Sequence, residues 1–103
     1  MEGKSKSSKS SLKVEELSFD MPEAQRAEVG GIIKDAYRKH TPYGQASGQR
    51  DMAKLIKETL DDKYGGAWHV IVGSNFGSFV THEMGSLLFA SIGATNVFIY
   101  QHG

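Results

Sequence analysis

The apolar pattern of this chain changes period at Gly65-Gly66, and that change limits its possible folds more than any other feature. Before the break, two stripes have helical spacing. Val29, Ile32, Ile33, Ala36 and Tyr37 fall at i, i+3, i+4, i+7 and i+8, and Met52, Leu55, Ile56, Thr59 and Leu60 repeat the stripe. After the break, the side chains alternate. Trp68, Val70 and Val72 share one face of a strand, with His69 and Ile71 opposite. Phe76 to Glu83 alternates again, Leu87 to Ile92 forms a further strand, Gly93-Ala94 turns, and Thr95 to Tyr100 closes the sheet. A short strand over Val14 to Phe19 precedes the helices, with Val14, Glu16 and Ser18 on one face and Leu17 and Phe19 on the other. The order β-α-α-β-β-β-β predicts an α+β fold, two helices packed on an antiparallel β-sheet.

The boundaries carry their own signals. Asp20-Met21-Pro22-Glu23 offers an N-cap carboxylate three residues before a Glu, with Pro22 in the first turn. Gly30 and Gly31 sit inside the first helix at about 1 kcal/mol each relative to Ala, which close backbone packing would explain. Pro42, Gly44, Ser47 and Gly48 mark a loop, and the second helix runs from about Gln49 to Tyr64. Residues 1–13 interleave five Ser with four Lys around Leu12, too little apolar surface to offset ordering, and read as a disordered tail before a domain spanning 14–103. A solubilising role suits that tail better than a phosphorylation handle, because scattered lysines are not a compact basic cluster.

Twelve basic side chains balance twelve acidic ones, so no whole-chain field favours nucleic acid or an anionic membrane. There is no Cys, which excludes disulfides, thiolate metal sites and a cysteine nucleophile. No apolar run approaches the roughly 18 residues of a membrane helix, and the first residues lack a signal-peptide core. Glu2 excludes myristoylation, so the expected location is cytosolic. At 39% hydrophobic content, a chain of 103 residues buries only about 60% of its unfolded surface, which makes a shared core between chains a natural solution.

Catalytic motifs fail one by one. His82-Glu83 begins like a zinc-helix motif, but Ser86 occupies the second ligand position and the segment reads as strand. Gly73-Ser74-Asn75-Phe76-Gly77 fits neither a dinucleotide fingerprint nor a phosphate loop. Asp61 and Asp62 point about 100° apart on a helix. His40, His69, His82 and His102 have no metal-ligand spacing. The expectation is a protein that is not an enzyme and has no metal or cofactor. Binding chemistry fits better: Phe76–Glu83 has small or polar members and Gly breaks on both sides. That pattern suits a sheet edge offering free N–H and C=O groups to an incoming peptide, and equally an ordinary interior strand.

Lys57-Glu58-Thr59-Leu60-Asp61, then Lys63-Tyr64, Trp68-His69-Val70-Ile71-Val72-Gly73 and Asn75-Phe76-Gly77-Ser78-Phe79-Val80-Thr81-His82-Glu83 resemble the small dynein light chains of the swapped-strand dimer type. The resemblance spans about Asp20 to Gly103. It implies a strand-swapped dimer, formed with itself or with a sister light chain, in which Asn75–Thr81 is lent to the partner's sheet. Two grooves follow, each between a lent strand and the second helix of the other chain, where short segments such as Thr-Gln-Thr add as a strand. By position, Gln49 and Arg50 would receive the partner's Gln. Ser74, Asn75, Phe76, Gly77, Ser78, Phe79, Val80, Thr81 and His82 would form the ladder and its flank, and Leu87, Phe89 and Ser91 the floor. Glu58, His69 and Thr81 are expected at the dimer contact.

The resemblance implies work in assembly: holding dynein intermediate chains side by side in the motor complex, in the cytoplasm and on the cytoskeleton, with a place in a ciliary axoneme. A general cytosolic dimerisation hub is the alternative. The chain departs from the family where Leu87, Phe89 and Ser91 replace a floor rich in Tyr and Phe79 replaces the strand Tyr. The loop Thr41–Gly48 is longer, and His102 stands where common members carry a regulatory serine.

Overall fold

Apolar stripes and alternating strands assemble as their periods require. The computed structural model describes residues 13–40, 48–74, 77 and 80–103. Strand β1 (Val14–Asp20) leads into helices α1 (Glu23–His40) and α2 (Gln49–Tyr64), followed by β2 (Trp68–Gly73), β3 (Leu87–Ile92) and β4 (Thr95–Gln101). The sheet order is β1-β3-β4-β2 and every neighbouring pair is antiparallel. The tail up to residue 12, most of the Thr41–Gly48 loop, and Asn75, Phe76, Ser78 and Phe79 in and beside the expected third strand lie outside the described residues. Gly77 and Val80 to Glu83, which are described, are not in a strand.

One face of the sheet and both helical stripes form the core. Val29, Ile33 and Ala36 of α1 and Met52, Ile56 and Leu60 of α2 meet Trp68, Leu88, Ala90, Ile92, Val97 and Ile99, all buried. Ile32, Tyr37 and Leu55 flank this cluster half-buried. The stripes anticipated from sequence are therefore the packed faces.

Three local readings need correction. Asp20 does not cap α1: it ends β1, and its Oδ2 accepts the N–H of Gly85 at 3.0 Å. Pro22 takes the cap position instead, its carbonyl receiving the Arg26 N–H at 2.9 Å. The alternation of β1 breaks at a bulge between Glu16 and Ser18. Val14 and Glu16 pair with Ile92 and Ala90 on the helix side, but beyond the extra residue it is Phe19, opposite Leu88, that takes that side. The Arg26 guanidinium of α1 lies 3.7 Å over the Phe19 ring. Finally, nothing described approaches within 4 Å of a Cβ built on Gly30 or Gly31, so close packing does not account for them. Gly30→Ala and Gly31→Ala are each expected to stabilise the protein by up to about 1 kcal/mol, read as a higher urea midpoint. A lower midpoint would show that these positions need glycine.

Turns set the sheet's edges. Gly93 has φ +59° in the two-residue β3–β4 turn, and a Cβ there would stand 2.9 Å from the Tyr37 hydroxyl. At the other end, α2 stops at Gly65 (φ +75°), whose N–H bonds to the Asp61 carbonyl at 2.9 Å. The Asp61 carboxylate then fixes the start of β2, accepting Lys57 Nζ at 2.6 Å and the Trp68 N–H at 3.0 Å. The Lys57 hydrogen bond first, and the Trp68 N–H next, hold this carboxyl below its ordinary value of 3.8. A depressed folded pKa contributes stability that is present above the unfolded value and lost as pH falls through the folded one. Asp61→Asn should therefore be less stable than the unmodified protein at pH 7, with the gap closing on acidification below about pH 4. Urea midpoints across that range check it, and a gap constant with pH would contradict it.

Candidate functional site

The strands have two faces and the helices cover one. On the other, His69 and Ile71 of β2, Leu87, Phe89 and Ser91 of β3, and Asn96, Phe98 and Tyr100 of β4 follow from strict alternation and the observed pairings. Their rings make a continuous aromatic patch. Phe89 meets Phe98 edge-on at 5.7 Å, Phe98 lies 5.5 Å from Tyr100, and Tyr100 stacks on His69 at 5.0 Å. Ile71 is exposed, Phe89 and Tyr100 are half-buried, and none of the three belongs to the core cluster. No described helix covers this face.

Beside the patch, β2 is a sheet edge. It pairs with β4 on one side, and among the described residues no strand pairs with its other side. Six residues of backbone, Trp68–Gly73, thus present ladder groups to solvent. His69 Nε2 lies 3.0 Å from the His102 carbonyl, which fixes its ring against Tyr100.

The candidate residues fall in three places. Gln49 and Arg50 open α2, half-buried and exposed, above a Gly48 cap that supplies no side-chain hydrogen bond. The first N–H groups of α2 therefore lack a side-chain acceptor from the cap. Ser74 follows the open edge, its carbonyl accepting from Asn96 Nδ2 at 3.1 Å. Asn75, Phe76, Ser78 and Phe79 lie outside the described residues. Gly77 is exposed, with open space around a Cβ, and Thr81 is exposed while Val80 is half-buried. His82 is brought to the end of β3: its Nε2 lies 3.1 Å from the Asp20 carboxylate, and Asp20 pairs with Leu87. The Gly85 N–H, and then the His82 contact, hold the Asp20 carboxyl below its ordinary value.

Leu87, Phe89 and Ser91 do share the uncovered face, as a groove floor would require. No described contact joins them to Gln49 or Arg50 within one chain. Glu58 lines a shallow hollow of about 220 Å³ with His40, Asp51, Lys54 and Leu55, whereas His69 lies on the aromatic face. Sequence reading missed Ile71, Phe98 and Tyr100 as members of the face that no described helix covers. The signal was present: β4 is apolar on both faces, which a sheet with one solvent side does not need.

Among the described residues, no group of three or more His, Asp or Glu side chains is placed to hold a metal ion, and no helix is long and apolar enough to cross a membrane.

Known proteins share both the sequence and the shape. The family model described as dynein light chain type 1 matches residues 13–102. Dynein light chain 1, cytoplasmic, of Candida glabrata is 38% identical over 82 residues, covering 80% of this chain and 88% of the relative. Dynein axonemal light chain 4 of Homo sapiens is 40% identical over 76 residues, 74% of this chain and 68% of the relative. In fold, the dynein light chain-like domain of a Fasciola hepatica calcium-binding protein superposes with a TM-score of 0.78 at 19% identity, over 89% of this chain and 93% of that domain. On the strength of these matches, together with two helices on a four-stranded antiparallel sheet, the chain belongs to the dynein light chain family.

Proposed function

We propose that this light chain works as a dimeric, non-enzymatic clamp that binds short extended segments, those of dynein intermediate chains foremost, by β-strand addition. The observation that carries the reading is the aromatic face that no described helix covers, beside a β2 edge with no described strand against it. An exposed edge invites pairing, and a contiguous aromatic patch invites burial. Each chain lending Asn75–Thr81 to its partner's β2 edge satisfies the first, and the two uncovered faces meeting satisfies the second. Glu58, His69 and Thr81 belong to that contact in this reading.

The lent strand then offers its own free edge to a third chain, with Leu87, Phe89 and Ser91 below it and Gln49 and Arg50 of α2 at one end. Backbone pairing gives tolerance of sequence and the side-chain pockets give choice. Two grooves on one dimer favour paired partners through effective concentration. With Ser91 and Phe89 in place of hydroxyl-bearing aromatics, Thr-Gln-Thr segments lose up to two hydrogen bonds, each worth about 0.5–1.5 kcal/mol. Relatives named as cytoplasmic and as axonemal match the chain to similar degrees, so both support a cytoskeletal location. The longer loop and divergent floor favour the axonemal role over a general hub. A pull-down from isolated axonemes against one from cytosol separates the two.

Gly77 provides the sharpest test of the groove. Among the described residues nothing comes within 4 Å of a Cβ built on Gly77, so Gly77→Val leaves the described fold of the protomer undisturbed while obstructing an approaching backbone. Isothermal titration with a dynein intermediate-chain segment should show at least a tenfold loss of affinity. Unchanged affinity in a folded dimer would contradict the groove assignment.

A further inference from the structure

The sheet has a second open edge, at the opposite end from β2. Strand β1 pairs with β3 only, and its outer side has no strand against it among the described residues. Between this strand and α1 lies a hollow of about 330 Å³, lined among others by Lys13, Glu16, Arg26, Gly30, Gly31 and Lys34. Its floor is bare helix backbone, because the two adjacent glycines project nothing and no described side chain comes within 4 Å of a Cβ built on either. Its rim is basic. Arg26 is engaged with Glu16 at 3.0 Å, while Lys13 and Lys34 form no ion pair among the described residues. Among the described residues, the hollow therefore keeps two positive charges without an ion-pair partner beside a strand edge with no strand against it. Leu17 and Phe19, each about half exposed, add apolar surface on the same strand.

We propose that the outer edge of β1 is a second docking site, independent of the groove above, for an extended segment of a partner with acidic residues at alternate positions. A strand added to β1 directs every second side chain to the helix side of the sheet, where Val14 and Glu16 already point. Those side chains enter the hollow, and carboxylates there face Lys13 and Lys34. Charge selects this occupant over the chain's own first residues, which carry Lys4, Lys6 and Lys9 against Glu2 alone and match the sign of the rim. On the helix side the β1 carboxylate, Glu16, is already paired with Arg26, and Glu15 and Asp20 lie on the opposite face beside Ser91 and Leu87, so they do not oppose acidic side chains entering the hollow.

The test uses the full chain and a fluorescent peptide alternating Glu and Val, long enough to pair with all seven residues of β1. A peptide alternating Lys and Val is the control. Anisotropy should show binding of the acidic peptide only, weakened about tenfold or more by Lys13→Glu with Lys34→Glu, and likewise by Gly31→Val, which fills the hollow without changing charge. Amide shifts in the labelled protein should concentrate in residues 14–20 and 27–34. Far-ultraviolet circular dichroism confirms that each variant is folded. The proposal is overturned if the unmodified chain does not bind the acidic peptide, or if binding survives both sets of substitutions. It is equally overturned if the shifts fall on residues 74–82 and β3, or if β1 amides shift with protein concentration alone, which would make a second copy the occupant.

Discussion

Trp68→Ala is expected to lower the free energy of unfolding by about 3–5 kcal/mol, the largest stability loss available from one side chain here. The whole fold of a domain this size is worth about 5–15 kcal/mol, so the variant should be marginal at 37 °C. Trp68 is 1% exposed and begins β2 where α2 turns back on the sheet. Its ring joins the core and lies 6.0 Å from Tyr64, while its Nε1–H donates to the Gly65 carbonyl at 3.0 Å and its backbone N–H to Asp61. Truncation therefore leaves a cavity, removes one of the two donors to the Gly65 carbonyl, the other being Gln101 Nε2, and loosens the turn that places the β2 edge. Circular dichroism in urea, at equal protomer concentration, measures the loss. A deficit below about 1 kcal/mol would show that β2 is held by its ladder to β4 alone.

Most of this architecture is legible in the sequence because helical and alternating periods rarely imitate each other. The second helix ends at Gly65 and β3 runs Leu87–Ile92, as the spacing indicates. What escapes is tertiary competition for the same atom or residue. Asp20 has the sequence of a helix cap, yet its carboxylate serves Gly85 and His82 across the fold, a choice settled 65 residues downstream. The bulge in β1 adds a residue without any glycine to announce it, so Phe19 changes sides and meets Arg26. Gly30 and Gly31 suggest tight packing where there is open space, since a missing side chain reads alike in both cases.

The site is legible in a different sense. Alternation puts Leu87, Phe89 and Ser91 on one face, and no described helix covers that face. Gln49 and Arg50 belong to the groove only through the family resemblance, because no contact among the described residues of one chain joins them to that face. A site completed by a second copy has no signature in the spacing of a single sequence.

Phe89→Lys carries the other large effect. Phe89 is half-buried against Phe98 on the face that no described helix covers and stands outside the helix-facing core, so a lysine there can extend toward solvent in a single chain. In a dimer joined through that face, the groove floor borders the contact, and the ammonium would sit against the apolar seam without a partner. The association should weaken by about a hundredfold or more while the circular dichroism spectrum is retained. The central claim is that two chains join through this face and the β2 edge, and sedimentation equilibrium of the unmodified protein beside Phe89→Lys, at micromolar concentration and pH 7.5, tests it most directly. The account predicts twice the mass of one chain for the unmodified protein and the mass of one chain for the variant; a single-chain mass for both, or a dimer that Phe89→Lys leaves intact, would contradict it.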